Sequence, residues 1–508
     1  MNSNILNELN VGMLIRIKEN SWNGKDYINL ENYLTDDINT INYRLDALTD
    51  LLENKELYDT MIEIVPQLDG FREMRSISST ASDEVDDLYS VRELQIYVNL
   101  VDYLHEKLKK LDLKSELFLK VRNEINTICD SDEYNDIKKR LPENVELIST
   151  LKSITLGINL DLSLKPIEAG IVSINDQRYV SGNIIDKLLR GDMQTNSFQC
   201  CAPITATGKL LSNDEKQKFE GAINSGLHRI LKNSLRSWKP AVKAYSQSKV
   251  NFLLGYYGDL RFLISAAEFY YRLKEKRYPV CRPVVFSKEE KKCVLKGTYY
   301  PEFIMYTGHM SLNDIEFDEN GMLYIFTGAN GGGKSMFAKS VAMCQTLFQL
   351  GLYVPAEYAE LSPCSEILLH FTQRDTDIAK SRFMDECERM SKMMRAADSF
   401  SMVLCDEALS GTSANEAVAI ASEVIKAMCF KGCRGIFITH LHELTMLPDE
   451  INAFDGCISR LDNLTVSVDE ETGKRLYKVQ RTCPDKTSRA SDIAKQYGLD
   501  FESLINTN

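Results

Sequence analysis

The 508-residue sequence contains no apolar run close to the roughly 20 residues that a membrane-spanning helix requires. Its start, Met1-Asn-Ser-Asn-Ile-Leu-Asn-Glu8, has neither a basic stretch nor an apolar one, so no secretory signal and no membrane partner are expected. No Cys-x-x-Cys pair occurs among the 13 scattered cysteines. Cys200 and Cys201 are adjacent, and Cys429 with Cys433 is a lone pair at helical spacing. That usage argues against a disulfide framework and against zinc, and points to reduced thiols in a cytoplasmic protein. Basic residues are outnumbered 60 to 73, for a net charge of −13. A surface built throughout for nucleic-acid phosphates is thereby excluded, although a local basic groove is not. There is no internal repeat and no low-complexity segment.

What is present is globular composition, 44% hydrophobic and 26% charged, in a chain long enough for about two to four domains. Up to about residue 280 prolines and glycines are few and the pattern is helical. Ile38, Ile41, Leu45, Leu48 and Leu52 step by threes and fours, with Thr35 as the cap and Asp36 and Asp37 suited to the positive first turn. Leu94, Tyr97, Val101, Leu104, Leu108 and Leu111 repeat the spacing, as do Leu260, Leu263, Ala267 and Tyr270. Such stripes predict long helices packed on one another. Residues 165–215 break the pattern with short strand-like or loop-like runs and are read as a small inserted module. Beyond residue 280, Leu323–Phe326, Met402–Cys405 and Ile436–Ile438 are short apolar runs, each followed by polar or glycine-bearing chain and then a helical pattern. This is the rhythm of a parallel α/β sheet.

Gly328-Ala-Asn330-Gly331-Gly332-Gly333-Lys334-Ser335 fits the phosphate-loop pattern in full, between a predicted strand and a predicted helix. Glycines let successive N–H groups turn toward phosphate oxygens. Lys334 can reach the β- and γ-phosphates of ATP, and the Ser335 hydroxyl can ligate Mg²⁺. Met402-Val-Leu-Cys-Asp406-Glu407 ends a strand in two carboxylates, the first suited to the magnesium shell and the second to orienting or deprotonating water. His440, at the end of Gly435-Ile-Phe-Ile-Thr439, is a candidate γ-phosphate sensor, whereas His442 is read as an ordinary hydrogen-bonding residue.

Thr327-Gly-Ala-Asn-Gly-Gly-Gly-Lys-Ser335, Tyr353-Val-Pro-Ala356, Asp406-Glu-Ala-Leu-Ser-Gly-Thr-Ser413 and Thr439-His-Leu-His-Glu-Leu444 resemble the ATPase domain of the MutS DNA mismatch-repair family. Ser488-Arg-Ala-Ser-Asp-Ile-Ala494 is similar to that family's closing segment, and Ile41–Leu48 to the start of its helical core. The resemblance implies an α plus α/β chain. A helical core, levers and clamp would occupy residues 1–280, with the inserted module near 165–215, and an ABC-type phosphate-loop ATPase domain residues 281–508. It also implies ATP and Mg²⁺ as ligands, a homodimer, and double-stranded or branched DNA as cargo. Gly328, Asn330 to Lys334 and Ser335 match the nucleotide motif, Asp406 the metal position, and Glu407 and His440 the catalytic ones. Ser381 stands where the family has a serine that reaches the partner's γ-phosphate. Arg382, Met336 and the loop Leu409–Ser413 depart from the family pattern and bear on communication between two sites more than on hydrolysis.

The family's mismatch readers carry two domains before the helical core, and the core-like segment here begins within about forty residues, so a branch without those domains is expected. Gly70-Phe-Arg-Glu73 spells a Phe-x-Glu wedge, but inside a helical pattern, and Phe71 is read as core. Residues 221–258 contain no acid, and Arg229, Lys232, Arg236, Lys239 and Lys243 line one helix face up to and past Pro240. That row is read first as a solvated face and second as a DNA contact. The expected activity is ATP hydrolysis that gates a dimeric DNA clamp. The rivals are mismatch repair with a partner supplying the reader, and a nucleotide-gated machine acting on a ribonucleoprotein such as the ribosome.

Overall fold

The computed structural model describes residues 4–15, 29–78, 83–140, 152–177, parts of 221–245, and then 251–308, 311–328, 331–371, 382–409, 412–468 and 475–483. The chain forms two compact units. One holds Glu56–Leu113 and Phe118–Arg261, the other Met1–Lys55, Lys114–Leu117 and Phe262–Asn508.

In the first unit, the helices Lys55–Ser78 and Asp83–Leu108 bury the stripes that their spacing dictates. Leu57, Met61, Ile64, Leu68 and Phe71 line one, and Leu94, Tyr97, Val101, Leu104 and Leu108 the other, all buried. Phe71 is wholly buried and stacks on Tyr97 with ring centroids 6.3 Å apart, the core role its helical position calls for. Pro66 lies on the exposed face of its helix, where water can serve the carbonyl it leaves unpaired. Two strands, β1 (Ser153–Leu160) and β2 (Pro166–Asn175), pair antiparallel as a hairpin. The structure thus has a strand across the start of the 165–215 module; residues 178–220 lie outside those described.

The second unit has two sheets. Strands β3 (Val284–Val285), β4 (Cys293–Thr298), β5 (Asn313–Phe317) and β7 (Tyr358–Leu361) form a four-stranded sheet in the order β3-β7-β4-β5. The other sheet contains β6 (Leu323–Thr327), β8 (Ile367–His370), β9 (Met402–Asp406), β10 (Arg434–Ile438), β11 (Leu461–Val468) and β12 (Arg475–Gln480) in the order β12-β11-β6-β10-β9-β8. All its neighbours pair parallel except the edge strand β12. β6 and β10 are buried along their whole length, which is why they read as unbroken apolar runs rather than alternating ones. Mixed helix and sheet, with a mostly parallel sheet after residue 320, is the fold class expected. In this same unit, the helix Ile38–Glu53 buries Ile41, Leu45, Leu48 and Leu52 as predicted. Its cap is Asp37, whose carboxylate accepts from the N–H groups of Asn39 and Thr40; Thr35 instead accepts from Asp37 N. The cap therefore falls two residues later than the sequence pattern suggested.

A buried polar network joins the helix Lys334–Gln349 to both sheets. Arg434 opens β10 with only 1% of its surface exposed and donates to the carbonyls of Lys292 (3.0 Å) and Ser362 (2.9 Å) and to the Cys364 sulfur (3.0 Å). Gln345 donates to the same Ser362 carbonyl, and Gln349 exchanges two hydrogen bonds with the Cys364 backbone. The acceptors of Arg434 are neutral, two carbonyls and a sulfur, and each carbonyl also accepts from a second donor, Lys292 O from Ser362 N and Ser362 O from Gln345 Nε2. Arg434→Ala should lower the unfolding free energy by about 3 kcal/mol, from the lost hydrogen bonds plus the cavity left by a buried side chain. Urea titration followed by circular dichroism checks this.

Candidate nucleotide site

The site lies where β6, β10 and β9 end side by side. Parallel register sets Phe326 beside Ile438 and Ile438 beside Asp406. Two further backbone bonds carry the pairing past the strand ends, Thr439 N to Phe326 O and Glu407 N to Ile438 O, each 3.1 Å. Hence the loop after β6, the carboxylates after β9 and the histidine after β10 converge.

After β6 the backbone turns through Gly328 (φ 136°), Gly331 (φ 68°) and Gly333 (φ 91°), conformations that side chains resist, and the helix Lys334–Gln349 begins at once. Lys334 is 5% exposed, and its ammonium donates to Gly328 O at 2.7 Å. Ser335 Oγ donates to Asp406 Oδ1 at 3.0 Å. Burial pushes the Asp406 carboxyl up from its ordinary range; the Ser335 hydrogen bond opposes this, while the neighbouring Glu407 charge adds to it. Glu407 itself sits at φ 48° and Leu409 at φ 66°, so left-handed residues follow β9 directly, the kind of local strain that structures keep at functional loops. The turn sends the Glu407 side chain to His440, with Oε1 2.6 Å from Nε2 and both side chains half-exposed.

Of the residues singled out from sequence, Gly328, Gly331, Gly332, Gly333, Lys334, Ser335, Asp406, Glu407 and His440 come together here. Asn330 and Ser381 lie outside the described residues, as do Lys232, Arg236, Lys239 and Lys243; Arg229 is described and exposed. Val354 and Ala356, from the Tyr353–Ala356 motif, are fully buried, so that motif packs the core. His442 is exposed at the start of a short helical turn.

Tyr477 was not foreseen. It follows Leu476 in β12 at φ 53° and is 47% exposed. Its carbonyl accepts from Ser311 Oγ (2.8 Å) and Asn313 Nδ2 (3.1 Å), and its ring edge lies beside Gly333, 3.5 Å from where a β-carbon there would sit. More than 140 residues separate it from the glycine loop, and no spacing signal links them. Lys339, one turn past Ser335, was also unmarked; its ammonium lies over the Tyr300 and Phe371 rings.

The donor set fits a nucleotide carrying a divalent cation. A run of glycines opens a 16-residue helix, a buried ammonium lies beside it, and a hydroxyl–carboxylate oxygen pair suits a hard cation. Because burial raises the Asp406 pKa, the ionised carboxylate subtracts from stability above that pKa and has no effect below the unfolded value near 4. In the absence of divalent cations, Asp406→Asn should therefore melt higher than wild type at pH 7. The gap should close as pH falls toward 4, as scanning calorimetry across pH would show.

The family model for MutS domain V matches residues 324–505, and that for the MutS2 N-terminal domain matches residues 36–276. The DNA mismatch repair protein MutS of Lactobacillus delbrueckii subsp. bulgaricus is 34% identical over 232 residues, which cover 44% of this chain and 26% of that protein. The protein of the same name from Clostridium kluyveri is 35% identical over 234 residues, again 44% and 26%. That of Clostridium botulinum is 26% identical over 504 residues, 91% of this chain and 50% of its own length. The chain thus spans between about a quarter and a half of these relatives. With its two matched stretches in this order, the chain belongs to the MutS family.

Proposed function

We propose that the protein is an ATPase whose nucleotide state gates a DNA-binding dimer. The observation that carries this reading is the paired contact at the strand ends, Ser335 to Asp406 at 3.0 Å and Glu407 to His440 at 2.6 Å, beside the buried Lys334. The N–H groups of the glycine loop and the start of the helix bind phosphate oxygens. Lys334 exchanges its Gly328 carbonyl acceptor for phosphate. Ser335 and Asp406 hold Mg²⁺, which when bound neutralises charge on the phosphate oxygens. Glu407 orients and deprotonates the attacking water, and His440 fixes the Glu407 carboxylate and senses the γ-phosphate side of the site. Tyr477 offers a ring face to the base, next to the glycine loop. Ser381 of the facing subunit covers the γ-phosphate, so that closure requires two chains. The helical stretch transmits that closure to DNA as lever and clamp, in the cytoplasm. Because Phe71 is buried, Gly70–Glu73 presents no wedge to a base, and DNA is held through its backbone.

Division of labour between binding and reaction provides the test. Lys334→Ala should weaken ATP binding about a hundredfold, whereas Glu407→Gln should bind within about threefold of wild type and hydrolyse at least about a hundredfold more slowly. Isothermal titration and single-turnover hydrolysis separate the two effects, and equal loss of binding in both variants refutes the assigned roles. Tyr477→Ala should weaken ATP binding about tenfold and inorganic triphosphate binding not at all, since only a base stacks. Competition titration with both ligands measures this. ATP-locked Glu407→Gln should bind homoduplex and single-mismatch DNA within about threefold of each other, with affinity falling steeply with salt. Anisotropy titrations at several salt concentrations test this, and a tenfold mismatch preference refutes it.

A further inference from the structure

Residues 4–15 belong to the same unit as the nucleotide site and are seated in it by several contacts. Leu9, Val11 and Ile15 are wholly buried. Asn10, in a left-handed turn at φ 52°, gives its amide to both oxygens of Glu302, at 3.0 and 3.1 Å. Tyr300 shares its O–H between the Leu9 carbonyl (3.2 Å) and Glu302 Oε2 (2.7 Å). The Leu14 carbonyl accepts from Arg272 at 2.7 Å. The start of the chain is therefore fixed against the Tyr300 ring.

That ring also carries Lys339, whose ammonium stands 5.9 Å from its centroid and 5.8 Å from that of Phe371. Phe371 follows His370, which pairs level with Cys405, so it leaves β8 beside Asp406. Lys339 is four residues past Ser335, on the helix face that carries the hydroxyl donating to Asp406. The half-buried Lys339 serves two carboxylates, Asp406 at the site and Glu8, the neighbour of Leu9. Burial pushes the Glu8 carboxyl up, and the charges of Arg389 and then Lys339 oppose the rise. Burial raises Asp406 too, and Lys339 is among the groups that oppose it. The two cations acting on Glu8 are not equivalent: Arg389 has a carboxylate of its own, Asp385 at 3.1 Å, whereas Lys339 rests on neutral rings. A divalent cation arriving at Ser335 and Asp406 repels this ammonium and takes up one of its two carboxylates. Glu8 is then the counter-charge left to it.

We propose that Glu8 is a positioning residue of the nucleotide site, which draws the Lys339 ammonium away from Asp406 and so clears that carboxylate for the divalent cation. The start of the chain is then part of the ATPase machinery. This rests on the assignment of Ser335 and Asp406 to Mg²⁺ given above.

Mn²⁺ binding to the full chain at saturating β,γ-imido-ATP tests the proposal, followed by loss of the free-ion electron paramagnetic resonance signal. Asp406→Asn supplies the baseline for Mn²⁺ held elsewhere on the chain. Glu8→Gln should weaken the Asp406-dependent binding about threefold, because Lys339 then stays with Asp406. Lys339→Met should tighten it about threefold, a change that damage to the fold does not produce. In the Lys339→Met background, Glu8→Gln should change binding by less than about 1.5-fold, since its effect passes through the ammonium. Unchanged or weakened binding in Lys339→Met overturns the proposal. So does a Glu8→Gln effect that survives in the double variant, or one that is absent from the single. In each of those cases, persisting Asp406-dependent binding leaves the cation assignment standing. Mn²⁺ binding that Asp406→Asn does not reduce defeats the cation assignment and this inference together.

Discussion

The candidate site depends on one constraint, the level parallel pairing of β6, β10 and β9. Parallel strands put all their C-terminal ends on one edge, where exposed loops and the first turns of helices can meet. Here the register is level to the residue, Phe326 with Ile438 and Ile438 with Asp406, and two backbone bonds extend it beyond the strands. A slip of one residue would turn Asp406 to the other face and take its carboxylate from Ser335. The strands are held against such a slip by burial on both sides, since no register of β6 or β10 exposes an apolar side chain at no cost.

The glycine loop needs a rigid base as well as flexible residues, and the buried network around Arg434 provides it. A fully buried guanidinium without a carboxylate is uncommon, because desolvation must be offset by dipoles that point correctly. The carbonyls of Lys292 and Ser362 do so from just outside strands of the four-stranded sheet, each shared with a second donor, Ser362 N and Gln345 Nε2 respectively. Gln345 and Gln349 bind the same segment from the helix that begins at Lys334. The helix that begins at Lys334 is thus anchored at its far end by hydrogen bonds that water cannot reach.

Local chemistry made much of this legible. Period-three-and-four stripes marked the helices Ile38–Glu53, Asp83–Leu108 and Tyr257–Glu275, because a helix packed on one side must bury one stripe. Three apolar runs marked β6, β9 and β10, because strands covered on both faces carry no alternation. The run Gly328 to Ser335 marked the glycine turn between β6 and the helix Lys334–Gln349, because that signal is carried by consecutive residues. The cap of the first long helix was misjudged by two residues, since Thr35 and Asp37 both present oxygen at a helix start and only backbone geometry chooses between them.

The sequence by itself determined where the helices and buried strands run, and where the glycine turn meets its helix, because each of those features is written within a few turns of chain. Only the tertiary structure decided strand order, the meeting of Glu407 with His440, the placing of Tyr477 beside Gly333, and the neutral partners of Arg434. Each of these is a contact between segments far apart in sequence. Its geometry follows from how whole elements pack, and no local preference encodes it.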